Sequence, residues 1–213
     1  MGSDFSDLRQ EYRHVPLLEQ EAHADPVEQF KDWFGQAVDY GVPLPNAMAL
    51  ATVAKDGKPT LRFVLLKDVS DRGFSFYTHS VSVKGRQIAD NPDVALVFYW
   101  TQMHRQVRIE GRAYLFAGEE ADAYFDTRPY DSRVAVWVAD QSVEVDSREY
   151  LEDRLAGLTE QYAGDPVPRP ATWVGYRVVP DSVEFWQGRE SRLHDRLLYT
   201  REDGGWKIAR LAP

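Results

Sequence analysis

The dipeptide Asp56-Gly57 sits between one apolar run at 47–54 and a second at 60–67, and it constrains this chain more than any other short stretch. Asp-Gly readily takes the positive φ angles of a two-residue hairpin turn, so the flanking runs are expected to pair antiparallel. Asp71-Arg72-Gly73 repeats the arrangement before a third run at 74–78. Connections this short cannot carry the crossover that neighbouring parallel strands require. Further β-rich runs at 94–100, 106–116, 174–179, 183–187, 193–199 and 206–211 add to the same sheet. No Gly-rich dinucleotide fingerprint follows any of them. The expected class is a mostly antiparallel β-barrel with peripheral helices, an α+β arrangement.

Helices fill the gaps between the runs. Asp25 can cap and Pro26 suits a first turn; Val27, Phe30, Trp33, Phe34, Ala37 and Val38 then recur on one helical face, with Gly41 as the stop. Shorter helices are expected at 84–91, 119–127, 132–139 and 147–162, followed by a Pro-rich connector at 165–170. The strands after that connector are too few to close a core alone, so 25–213 is read as a single domain. Residues 1–24 are polar and read as a loosely structured N-terminal segment.

Charge narrows the class of partner. With 34 acidic against 25 basic residues the chain carries a formal −9, which argues against nucleic acid. Any phosphate must therefore be recognised by local clusters of Arg and Lys. There is no cysteine, so disulfide and thiolate chemistry are excluded, and the five His are dispersed rather than spaced as metal ligands. No apolar run approaches membrane-spanning length, and the acidic start lacks the apolar core of a signal peptide. A cytoplasmic protein without membrane contact is expected.

Several cation-plus-hydroxyl clusters stand out. Arg62 to Lys67 places a cation at each end of an apolar strand. Tyr77-Thr78 leads through a hydroxyl-rich loop to Lys84 at a helix start, a serviceable anion site. Tyr124 and Arg128 are four apart, with Ser132 opening the next helix. Gln106 follows Arg105, and Gln141-Ser142 is a polar pair after an apolar stretch. Near the C-terminus Arg192, His194 and Arg196 alternate, so on a strand all three would share one face. Each cluster also has a bland reading: cations snorkelling at a rim, a helix capped by Ser82, a solvated edge strand. Taken together, cations, hydroxyls and aromatics suggest a planar, phosphorylated ligand. No carboxylate pair or nucleophile elbow offers another chemistry.

In their order along the chain these motifs resemble the pyridoxamine/pyridoxine 5′-phosphate oxidase family, flavoenzymes with an FMN-binding split barrel. The matching stretches are Arg62–Lys67, Arg105-Gln106-Val107, Arg128–Ser132, Gln141-Ser142, Glu184–Gly188, Arg192–Arg196 and the terminal Arg210-Leu211-Ala212-Pro213. The resemblance implies a homodimer with FMN at the subunit interface. FMN contacts are implied for Arg62, Phe63, Val64, Leu65, Leu66, Lys67, Tyr77, Thr78 and Lys84. The same role falls to Gln106, Gln141, Ser142, Trp186 and Arg196 in the rest of the chain. It further implies that Lys67, Tyr124, Arg128 and Ser132 hold the phosphate of a small pyridine substrate. Arg192, Leu193 and His194 would sit at the ring, with Arg192 and His194 catalytic, and Arg9, Gln10, Glu11 and Tyr12 would form a lid. The implied reaction moves a hydride from substrate C4′ to flavin N5, with dioxygen as final acceptor, hydrogen peroxide released and no metal.

Three positions depart from the family pattern: Val83 where a basic residue often stands, Leu44 where an acid often precedes Pro45, and Gln10 for a frequent Arg. Two other readings share the fold. One is an FMN oxidase of the phenazine-biosynthesis type; the other is a non-catalytic flavin- or pyridoxal-phosphate-binding protein.

Overall fold

The computed structural model describes residues 15–116 and 118–213. The lid expected at Arg9, Gln10, Glu11 and Tyr12 lies outside the described residues. Along the chain run α1 (Pro26–Asp39), β1 (Ala47–Val53), β2 (Pro59–Leu65), β3 (Asp68–Ser70), β4 (Gly73–His79) and α2 (Val83–Asp90). Then come β5 (Asp93–Trp100), β6 (Arg105–Leu115), α3 (Gly118–Asp126), α4 (Tyr130–Val134) and α5 (Arg148–Gln161). The chain closes with β7 (Trp173–Gln187), β8 (Asp195–Glu202) and β9 (Gly205–Arg210). The strands form one sheet in the order β2-β1-β5-β6-β7-β4-β3, with β8 paired to β7 and β9 to β8. The pairings β3–β4, β7–β8 and β8–β9 are antiparallel, as their short connections require, and so is β4–β7, between strands far apart in the chain.

The chain packs as two compact units, each built from separate segments. The first takes the residues up to Ala49 together with Ala95–Gly111 and Pro180–Pro213. Its α1 begins as expected, with the Asp25 carboxylate accepting from the Val27 N–H at 2.7 Å. The helix ends where Gly41 takes φ +79° and the N–H groups of Gly41 and Val42 bond back to Val38 and Ala37. That 5→2 and 6→1 pair is a Schellman stop. Phe30, Trp33 and Ala37 are buried, with Phe30 against Phe98 at 4.9 Å and Trp33 edge-on to Phe185 at 5.2 Å. Val38, expected on the same face, is instead exposed.

The second unit comprises Leu50–Val94 and Arg112–Val179. Its β4 is buried on nearly every residue, between β3 on one side and the first half of β7 on the other. Ser82 caps α2, its hydroxyl accepting from the Gly85 N–H at 3.2 Å. A Cβ on Gly85 would lie 2.4 Å from the Ser80 carbonyl oxygen, so only glycine lets the preceding loop close onto this helix.

The structure corrects the expected elements in three places. First, β7 is a single 15-residue strand rather than two. Its residues 173–178 pair with β4 and 182–187 with β8, so Pro180 lies between the two registers, where its missing N–H costs little. Second, the helix expected at 132–139 starts at Tyr130 and tightens into a 3-10 turn at Ala135–Trp137, so Ser132 sits inside α4 rather than opening it. Third, β8 begins only at Asp195. Ser191 and Arg192 adopt φ +54° and +61° in a 3-10 turn, which no strand accommodates. Arg192 and His194 therefore do not alternate with Arg196 on a strand face.

Candidate active site

A cleft of about 880 Å³ opens in the second unit. Along β2, Arg62 and Val64 are half-buried while Leu61, Phe63 and Leu65 are exposed, the alternation a strand imposes. Arg62, Phe63, Val64, Leu65 and then Lys67 reach the cleft from this side. Tyr77, Thr78 and His79 come from the end of β4, and Lys84 from the first turn of α2. Tyr124, Arg128 and Ser132 approach from α3 and α4, joined by Gln141 and Trp173.

The polar contacts here are neutral. Arg62 donates to the Leu50 carbonyl at 3.1 Å and to the hydroxyls of Thr52 and Thr60 at 2.6 Å each. Lys84 Nζ donates to Gln141 Oε1 at 2.6 Å and to the Thr78 hydroxyl at 3.3 Å. No ion pair joins Arg62, Lys67, Lys84 or Arg128 to a described carboxylate, and no Asp or Glu lines the cleft. In a chain of net charge −9, four cations are thus gathered where acids are missing. Burial, and then the charge of Arg62, push the Lys84 ammonium down to about 8. Burial likewise lowers the His79 imidazole, with Lys84 and Arg128 acting in the same direction and Asp140 opposing them.

The wall of the cleft is aromatic. Tyr77 stacks on Tyr124 at 4.2 Å and on Trp173 at 4.8 Å, the planes within 12°. Burial first, then the neighbouring Tyr124, pushes the Tyr77 phenol up to about 12, so it stays protonated as a donor. Arg128 lies over Trp173 at 4.9 Å and Phe125 at 5.6 Å. Its buried Nη1 has no hydrogen-bond partner, and neither does His79 Nδ1. A buried guanidinium nitrogen without an acceptor is costly, and an anionic ligand would satisfy it.

The first unit holds the second group of expected residues. Trp186 pairs across strands with Arg196. Arg196 Nε donates to Glu184 Oε1 at 2.7 Å and Nη1 to the Ala212 carbonyl at 2.8 Å. Buried Glu184 also accepts from Arg108 at 3.0 Å, so two cations share one carboxylate. His194 packs against Trp186 at 4.7 Å, and its Nδ1 accepts from the Arg189 N–H at 3.1 Å. That bond places the neutral ring's proton on Nε2. Burial and then Arg192 hold its pKa below the ordinary histidine range. Leu193 is exposed. Arg105, just before Gln106, stacks on Trp33 at 4.4 Å and donates to Gln187 at 2.8 Å, anchoring the chain beside both Gln106 and Trp186.

Most expected contact residues of the second unit thus meet in one cleft. Leu66 does not; it is buried away from the lining. Ser142, at φ +74° and exposed, is not part of the lining either. The sequence reading missed His79 and Trp173 in the lining, and Thr52, Thr60 and Gln87 behind Arg62. Thr52 and Thr60 meet because Lys55, Asp56 and Gly57 form a three-residue loop, closed by the Ala54 N–H on the Lys58 carbonyl, rather than the expected two-residue turn; of Asp56 and Gly57 only Gly57 takes a positive φ, +85°. Among the described residues no cluster of His, Asp and Glu is suited to a metal.

Comparison with known proteins bears on these sites. The sequence pattern described as "Pyridoxamine 5'-phosphate oxidase" matches residues 34–162. That described as "Pyridoxine 5'-phosphate oxidase C-terminal dimerisation region" matches 173–213. A pyridoxine/pyridoxamine 5'-phosphate oxidase of Rubrobacter xylanophilus is 53% identical over 99% of this chain and 97% of its own. One from Nostoc punctiforme is 51% identical over the full length of both. Among solved structures, PhzG from Burkholderia lata 383 in complex with tetrahydrophenazine-1-carboxylic acid superposes with a TM-score of 0.90 at 32% identity, covering 96% of this chain and 100% of that one. A pyridoxamine 5'-phosphate oxidase-related, FMN-binding protein of Nostoc punctiforme gives 0.71 at 19% identity over 86% of this chain and 97% of that one, a likeness of fold.

Proposed function

Because the chain belongs to the pyridoxamine 5'-phosphate oxidase family, we propose that it oxidises pyridoxine or pyridoxamine 5'-phosphate to pyridoxal 5'-phosphate with FMN as cofactor. The chain is an oxidoreductase of that family, on its FMN-binding split-barrel fold. The observation that carries the substrate reading is the acid-free cleft: four cations, none paired with a described carboxylate, beside a stacked aromatic wall. Two phosphorylated, planar molecules suit it better than any uncharged one.

The residues fit FMN. Arg62, Thr78 and Lys84 form one cationic group on the β2 and α2 side and would hold its phosphate, with Gln141 fixing Lys84. Lys67, Tyr124, Arg128 and Ser132 form a second group and would hold the substrate phosphate; the unpartnered Arg128 nitrogen supports this. When bound, FMN would supply a two-electron acceptor for the substrate's C4′ hydride, one that dioxygen can reoxidise with release of hydrogen peroxide. The protein's part is to hold two rings in reacting contact. Arg192 orients the substrate and stabilises charge at its reacting end. His194, with its proton on Nε2, is a hydrogen-bond donor to the substrate rather than a base. Gln106, Trp186 and Arg196 contact the flavin, Arg196 held in place by Glu184.

The proposed assembly is a cytoplasmic homodimer with FMN between subunits. The family's naming of the C-terminal region for dimerisation supports it, as does the apolar face of β2, where Phe63 is 77% and Leu61 68% exposed. Among the described residues no helix is long and apolar enough to cross a membrane.

The test is aerobic incubation of FMN-loaded protein with pyridoxine 5'-phosphate. Pyridoxal 5'-phosphate and hydrogen peroxide should appear in equal amounts; absence of both overturns the proposal. A second reading, oxidation of a reduced phenazine carboxylic acid, is favoured by the likeness to PhzG. Turnover of that tricycle with no turnover of the phosphorylated pyridine would replace the first reading with the second.

A further inference from the structure

Behind Arg62 lies a buried polar network. Thr52 is fully buried and Gln87 is 8% exposed, and neither lines the cleft. The hydroxyls of Thr52 and Thr60 each take an N–H from Arg62, at 2.6 Å. Each hydroxyl then has one proton to give. The nearest acceptor for both is the same atom, Gln87 Oε1, at 2.6 Å from Thr52 and 2.7 Å from Thr60; the other acceptors within reach, the Thr52 carbonyl at 3.4 Å from the Thr60 hydroxyl and the facing hydroxyl at 3.2 Å, are farther. Arg62 also approaches that oxygen directly, at 3.5 Å. The direction of donation is therefore uniform: guanidinium to hydroxyls, hydroxyls to amide oxygen. Only an acceptor can end the chain, so the Gln87 side chain must present its oxygen and not its NH₂.

We propose that Gln87 is a positioning residue that sets the cleft's selectivity for a phosphorylated ligand. Through Thr52 and Thr60 it aims the Arg62 guanidinium into the cleft, and because its amide is neutral it leaves the cationic charge of Arg62 for the ligand. A glutamate has the same shape and would accept the same bonds. It would also place a carboxylate within reach of Arg62 at a site with little water, where an internal ion pair competes strongly with any outside anion. An uncharged side chain without an acceptor fails differently. It strands two hydroxyl protons and loosens Arg62 without neutralising it. Neutrality and acceptor capacity are thus separate contributions of one residue. The inference rests on the reading of Arg62 as part of the FMN phosphate grip.

Flavin-stripped full-length protein is titrated with FMN and with riboflavin, which lacks the phosphate, following quenching of flavin fluorescence. The ratio of the riboflavin Kd to the FMN Kd isolates the phosphate contribution. Gln87→Glu should lower that ratio by about tenfold or more, by raising the Kd for FMN while that for riboflavin stays within about threefold. Gln87→Met should lower it by a smaller factor, about threefold to tenfold. A merely structural role would weaken both flavins together and leave the ratio unchanged; that result overturns the proposal. Thermal unfolding accompanies each titration, and if Gln87→Glu does not fold, the ratio in Gln87→Met decides. Equal affinity of the parent protein for the two flavins would overturn the cofactor reading of the cleft and this inference with it. A parent that prefers FMN, beside variants that keep the full preference, would overturn the role of Gln87 alone.

Discussion

Lys84 Nζ donates to Gln141 Oε1 at 2.6 Å, so the buried lysine at the start of α2 is held by a neutral amide and not by a carboxylate. An ion pair there would settle the charge within the protein. The amide positions Lys84 and leaves its charge for something else.

The titration of Lys84 follows from this arrangement. Its pKa is pushed down to about 8 by burial and then by Arg62. A lysine lowered in this way is charged below that value and neutral above it. An FMN phosphate binds the charged form and is itself fully dianionic above pH 7. FMN affinity should therefore be flat between pH 7 and 8 and fall above pH 8, by up to about tenfold per pH unit. Lys84→Arg, which keeps its charge, should remove that fall. A flat profile for the parent protein from pH 7 to 10 would count against Lys84 as a phosphate ligand.

Arg128 stacks on Trp173 and keeps Nη1 unpartnered, an arrangement suited to a phosphate oxygen. Arg128→Ala should raise the KM for pyridoxine 5'-phosphate by about tenfold to a hundredfold, the worth of one or two charge-assisted hydrogen bonds. The kcat should move much less. Steady-state kinetics with unchanged KM would take Arg128 out of the phosphate site.

Arg192 holds a left-handed backbone at φ +61°, which an asparagine adopts more readily than most residues. Arg192→Asn therefore removes the guanidinium while respecting the turn. Turnover should fall by at least about tenfold with the flavin still bound. The ratio of flavin to protein absorbance checks retention, and full turnover would reject a role in the chemistry.

Gly85 tests the seat of α2. A methyl group there would meet the carbonyl oxygens of Ser80 and His79 at 2.4 and 2.5 Å, and both are backbone. Gly85→Ala should cost about 1–3 kcal/mol and lower Tm by roughly 3–10 °C. Since Lys84 is its neighbour, FMN affinity should fall as well. A thermal scan with unchanged Tm would show that the loop can move aside.

Turn chemistry made the sheet legible. Asp56-Gly57, Asp71-Arg72-Gly73 and the cap at Asp25 are local signals whose physics is complete within a few residues, and each turns or caps the chain where expected, although the first does so with a three-residue loop in which Gly57 and not Asp56 takes the positive φ. The two halves of β7 were not separable on such grounds, because what lets Pro180 stay within a strand is the change of partner from β4 to β8. The same limit applied to Arg192 and His194. Alternation in sequence suggested a strand face, but the left-handed turn at Ser191 and Arg192 is a property of how this loop meets β8.

By itself the sequence determined the antiparallel class and marked the cation-plus-hydroxyl clusters. Hairpin turns and cation-plus-hydroxyl clusters are short-range features that need no knowledge of distant neighbours. Only the tertiary structure decided which charges are left unsatisfied. Arg62 and Lys84 could each have found an acid in a chain with nine more acids than bases, and instead they rest on Thr52, Thr60 and Gln141. Whether a cation is paired depends on the residues folding brings to it across the chain, and on how little water remains there. Gln87 belongs to the same lesson. Nothing in its local sequence marks it, and it gains a role only from its burial and the donors that surround it.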